Sequence, residues 1–152
     1  MKLKILFFSF ISFYFTLAQS APRTIHFEGQ SNFSRLKIVF QFKGSLSLER
    51  AQADELVYQG IVDVLEKGPE KSEEYAQTLK ITWERKSNKW KMRALAYLDR
   101  KTAHVFHFEI PQFPTQPSVY EGASGLYRCF PTDLGCQWSL AFEGVAQGKI
   151  TP

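Results

Sequence analysis

The stretch Leu36-Lys37-Ile38-Val39-Phe40-Gln41-Phe42-Lys43-Gly44-Ser45-Leu46-Ser47-Leu48-Glu49 decides the fold, because Leu36, Ile38, Phe40, Phe42, Gly44, Leu46 and Leu48 hold successive even positions. Lys37, Gln41, Lys43, Ser45, Ser47 and Glu49 fill nearly all the odd ones. A period of two puts one set on each face of an extended strand, one face toward a core and one toward water.

The pattern continues beyond Ala51 to Asp54, where Leu56, Tyr58, Gly60, Val62 and Val64 again occupy even positions. A hairpin that pairs Leu48 with Tyr58 and Leu46 with Gly60 brings both apolar sets to one face. A helix over 55–67 is the competing reading: Asp54 is a suitable N-cap, Val57, Tyr58, Ile61, Val64 and Leu65 fit a 3.6-residue stripe, and Gly68-Pro69 is a suitable stop. Gly60 and the β-branched residues disfavour it, and the match with the preceding strand selects the hairpin.

Downstream, Pro69 to Tyr75 is polar and reads as a loop or a single helical turn. Leu79, Ile81 and Trp83 then alternate with Lys80, Thr82 and Glu84, and Trp90, Met92, Ala94 and Ala96 follow beyond Ser87-Asn88. A two-residue turn there pairs Trp83 with Met92, Ile81 with Ala94 and Glu84 with Lys91. A tight connection at Asp99 to Thr102 leads into Ala103 to Ile110, with His104, Phe106, Phe108 and Ile110 on one face. Pro111, Pro114 and Pro117 recur at every third position, which predicts an extended, solvated connection.

In the last hairpin, facing Cys129 and Cys136 across the strands sets Tyr127 against Trp138, Gly125 against Leu140 and Ala123 against Phe142. With Thr24 to Glu28 as a first strand, the chain reads as all-β: a single antiparallel meander of about eight strands, a barrel in preference to a two-sheet sandwich.

Ahead of that domain, Lys2 and Lys4 precede an apolar run from Ile5 to Leu17 that ends in Ala18-Gln19-Ser20. The run is shorter than the roughly 20 residues a membrane-spanning helix needs, and its small residues suit a protease. Residues 1–20 are therefore read as a signal peptide and 21–152 as one β-rich domain, secreted or periplasmic, with no transmembrane segment after cleavage. In an oxidising compartment Cys129 and Cys136, the chain's two cysteines, form a disulfide. The formal charge is +4, of which the segment 1–20 contributes its two lysines, leaving +2. That is too little for a nucleic-acid binder.

Catalytic signals are weak throughout. His104 and His107 differ by three, which on a strand sends them to opposite faces and rules out a shared metal. Gly122-Ala123-Ser124-Gly125 is one residue short of a nucleophile elbow. The acids at Asp54-Glu55 and Glu73-Glu74 sit in apparent turns, and Glu109 alone stands among apolar neighbours. Neither a metal, a cofactor nor an enzymatic activity is expected.

Two binding features stand out. Trp83, Trp90, Phe106, Phe108, Tyr127 and Trp138 fall on expected inner faces and are candidates for holding a small apolar ligand. Glu49 to Glu74 is acidic and Lys80 to Lys101 basic, and Lys80, Lys91 and Arg93 share an outward face. That face suits an anionic macromolecule, so the chain reads as a binding protein or, alternatively, as a protein or glycan interaction module or inhibitor.

Overall fold

In a computed structural model, which describes residues 21–110 and 112–152, every element is a strand. The expected signal peptide, 1–20, lies outside the described residues. The strands are β1 (Thr24–Phe33), β2 (Ile38–Gln52), β3 (Glu55–Lys67), β4 (Ser72–Lys86), β5 (Lys89–Tyr97), β6 (Thr102–Ile110), β7 (Ser118–Thr132) and β8 (Gly135–Thr151). They form a closed antiparallel barrel in meander order, with β8 returning to β1. Closure removes the sheet edges that an open meander would expose to other chains.

Most pairings follow from alternation. Leu48 faces Tyr58, the register that carries Leu46 to Gly60, and a bulge between Leu48 and Arg50 then absorbs one residue. Residues 55–67 are strand, so parity with β2 prevails over the helical stripe. Around the Ser87-Asn88 turn, Trp83 faces Met92, Ile81 faces Ala94 and Glu84 faces Lys91. Ser87 takes a left-handed φ of 59° to close that turn.

Three expectations are corrected. Ser72 to Tyr75 belongs to β4 and pairs with β3, because Glu73 and Tyr75 extend the alternation that begins at Leu79. In the last hairpin the turn falls at Asp133-Leu134, with Thr132 opposite Gly135, whose φ of 121° suits glycine. Cys129 therefore faces Trp138 and Tyr127 faces Leu140; the cysteines are offset across the strands, yet their Cα atoms are 5.3 Å apart and the disulfide forms. A second bulge between Leu126 and Tyr127 then brings Leu126 opposite Phe142 and Ala123 opposite Val145.

The third correction concerns the proline segment. It crosses one end of the barrel and inserts Phe113, stacked 6.5 Å from Tyr58 and edge-on to Trp83 and Trp90 at 5.0 and 6.1 Å. Pro114 is buried beside it, so the connection is a plug rather than a solvated crossing. At the same end Tyr58 donates a hydrogen bond to the Pro22 carbonyl at 2.8 Å.

Candidate functional site

The middle of the barrel is filled. Phe27 and Phe42 meet Phe106 edge-on at 6.1 and 5.0 Å, and Phe106 stacks on Phe108 at 6.3 Å. Strands β1 and β6, which are not neighbours in the sheet, touch across the interior: Ser31 Oγ lies 2.8 Å from His104 Nε2, both residues wholly buried. The imidazole is enclosed by Phe33, Phe40, Phe42 and Phe106 at centroid distances of 5.3, 4.9, 5.1 and 4.6 Å. Burial lowers its pKa to about 3, so the ring is neutral, and Nδ1 finds no hydrogen-bond partner. His107 points outward; partial burial and then the charge of Arg93 lower its pKa.

Open space lies at both ends of the barrel: about 540 Å³ beside the plug, bordered by Leu56, Trp90, Phe113 and Pro114, and as much at the far end. There the tips of four hairpins surround a hollow of about 540 Å³. Leu36, Ile38, Phe40, Leu98, Leu126 and Phe142 supply its apolar wall. Polar groups occupy the rim: Glu66, Glu73, Asp99, Thr102 and Arg128, whose guanidinium carbon stands 5.8 Å over the Phe142 ring. Tyr75 shares the wall; burial first, then Glu66 and Glu73, push its phenol up to about 12, which keeps it a proton donor. An apolar cup with a few polar groups at its lip, within the usual few hundred Å³, suits one small molecule.

The six aromatic candidates divide. Trp83, Trp90, Phe106 and Phe108 are buried on the inner face, packed as core below the cup and against the plug. Trp83 Nε1 is buried without a partner. Tyr127 and Trp138 fall on the outer face: β7 keeps its even positions inward through Leu126, and the bulge, which adds Ala141 to β8, turns Trp138 and Leu140 outward opposite Cys129 and Tyr127. Leu126 is buried, whereas Trp138 and Leu140 are 36% and 44% exposed. Trp138 there meets Tyr97 at 5.7 Å.

Lys80, Lys91 and Arg93 all point outward and are exposed. The Lys91 ammonium is 3.4 Å from Glu109, which also lies 4.0 Å from Lys89, so much of that charge is compensated in place. A larger hollow of about 870 Å³ runs over the outside of β8, β1, β2 and β3. Its floor includes a cross-strand row of Gln147, Gln30 and Gln41 beside Lys149, Glu28 and Lys43. Its wall is mixed: Lys43 stands 3.8 Å from Glu28, and Leu65, Tyr75 and Val119 add apolar surface.

For catalysis the geometry provides little. Ser124 lies inside β7, buried, with its hydroxyl 3.4 Å from the Val145 carbonyl, not on a strand-to-helix turn. Among the described residues no three His, Cys, Asp or Glu side chains converge as metal ligands, and no helix is long and apolar enough to cross a membrane.

Fold and openings together define a meander barrel with a filled middle and a hollow at each end, one of them beside the Phe113 plug. No protein family, curated protein or solved structure matches the chain.

The cup was missed by sequence reasoning. Leu36 and Phe142 are visible there as apolar positions, but Leu98 and Arg128 join them only once the hairpin tips are brought into a ring. A signal did exist: Leu98 and Leu36 are apolar residues in or beside turns, where a polar residue is the norm.

Proposed function

We propose that the protein is an exported, non-enzymatic binding protein that holds one small apolar molecule in the open end of the barrel. The observation that carries this reading is the ring of Leu36, Ile38, Phe40, Leu98, Leu126 and Phe142 around about 540 Å³ above a filled core. At the opposite end Phe113 packs on Tyr58, Trp83 and Trp90, and the filled core separates the hollow there from this one. The apolar leader and the disulfide support export to an oxidising compartment.

The test is native mass spectrometry of protein purified from its own compartment, followed by titration with an apolar fluorescent probe. One discrete added mass, or saturable binding of one probe per chain, is the expected result. Leu36→Lys and Leu98→Lys, two rim changes in partly buried side chains, should each weaken probe binding by about tenfold or more. A bare protein that binds no apolar probe overturns the reading.

A second reading rests on Lys80, Lys91 and Arg93, which form an outward basic face for an anionic macromolecule. Reversal of all three to glutamate then abolishes capture of that partner without unfolding the barrel. The contact between Lys91 and Glu109 makes this the weaker of the two.

A further inference from the structure

The β7–β8 hairpin outreaches the barrel. The final β6–β7 pair is Thr102 with Arg128, and the final β1–β8 pair is Asn32 with Val145. Beyond them Cys129 to Thr132 and Gly135 to Trp138 pair with each other, as a two-stranded ribbon beside the open end. Isolated ribbons are marginal in water, and this one is stiffened by the Cys129–Cys136 disulfide at its centre. Its root is fixed by the Cys129 amide, which donates to the Lys101 carbonyl at 2.8 Å.

The ribbon carries apolar side chains where a protein facing only water has no use for them. Leu134, at the tip, is 101% exposed and Phe130 57%. At the root stand Trp138 and Tyr97, two amphipathic rings in contact. Arg100 and Lys101, both exposed, lie in the β5–β6 turn against the same root. An apolar point, aromatic rings behind it and cations flanking them is the order of chemistry met on passing from acyl chains through the headgroups of an anionic bilayer.

We infer that the open end of this barrel docks on an anionic lipid surface through the β7–β8 ribbon, with Leu134 and Phe130 entering the headgroup region. Asp133, in the tip turn, limits that entry to a shallow one. The tip of the β3–β4 hairpin, where Glu66, Glu70, Glu73 and Glu74 outnumber Lys67 and Lys71, stands on the other side of the opening with a net negative charge and is repelled, so the molecule tilts ribbon-down. This deepens the proposed function by placing the source of the apolar cargo at the mouth that receives it.

The test uses the oxidised mature protein in flotation with vesicles of phosphatidylcholine alone, or with one third phosphatidylglycerol. Expected is flotation with the anionic vesicles only, lost at about 0.5 M salt. Phe130→Ser/Leu134→Ser and Arg100→Glu/Lys101→Glu should each reduce partition by about tenfold or more. Neither pair lines the cup, so both variants retain binding of the apolar probe in the absence of vesicles. Equal partition on both vesicle types, no flotation, or unchanged partition of the variants overturns the docking inference. Failure of the probe to bind, with flotation intact, overturns the proposed cargo site instead.

Discussion

At the scale of single residues, the buried pair Ser31 and His104 sets the chemistry of the interior. One hydrogen bond satisfies both hydroxyl and Nε2, while four phenylalanine rings exclude water from the rest of the imidazole. Charging that ring would bury an uncompensated cation, which is why its pKa falls to about 3. In the unfolded chain the same group titrates near its ordinary value of about 6.5. Between those values the unfolded state binds a proton that the folded state does not, so stability is full above about pH 6.5 and declines as pH falls toward 3. The His104 share of that decline has a slope of at most about 1.4 kcal/mol per pH unit. Urea midpoints measured from pH 7 to pH 4 on the native chain and on His104→Leu should show a shallower slope in the variant. Equal slopes would mean that His104 is protonated within the fold.

At the scale of elements, legibility depended on whether alternation ran uninterrupted. The β4–β5 hairpin was readable to the residue, because Leu79 to Trp83 and Trp90 to Ala96 alternate without a break on either side of Ser87-Asn88. The β7–β8 hairpin was legible as a hairpin and as a disulfide, but not in register. Disulfide-bonded residues need not be directly opposite; Tyr127 is outward because β7 keeps its even positions inward, and the bulge at Leu126/Tyr127 turns Trp138 to the same outer face. Gly135 after Asp133-Leu134 was the available signal for the true turn. The ribbon also predicts a local rather than a global role for the disulfide. Chain entropy for so short a loop sets a ceiling of about 2 to 3 kcal/mol. Because residues 129–138 lie beyond the barrel, Cys129→Ser/Cys136→Ser should lose amide-exchange protection in the ribbon while β1 to β6 keep theirs. Loss of protection throughout β1 to β6 would show instead that the ribbon holds the barrel shut.

At the scale of the molecule, the two ends of the barrel differ in kind: Phe113 and Pro114 cross one and border its hollow, while apolar hairpin tips ring the other. Neither end was visible from periodicity, since both are assembled from turns far apart in sequence, whereas the all-β meander and the preference for a barrel were. Every other strand pairing joins strands consecutive in sequence, but the seam between β1 and β8 joins His26 to Thr151. Loops that long are slow to close, so refolding of the oxidised protein should fall in the millisecond-to-second range, and stopped-flow tryptophan fluorescence can time it. Microsecond refolding would show that the seam is not the slow step. The seam also orders events during biogenesis. Until β8 is in place β1 lacks one of its two neighbours, so Ile25, Phe27 and Phe33 cannot be sealed while the chain is still being made. Closure in milliseconds to seconds is faster than synthesis, so the arrival of the last strand sets when the barrel is sealed.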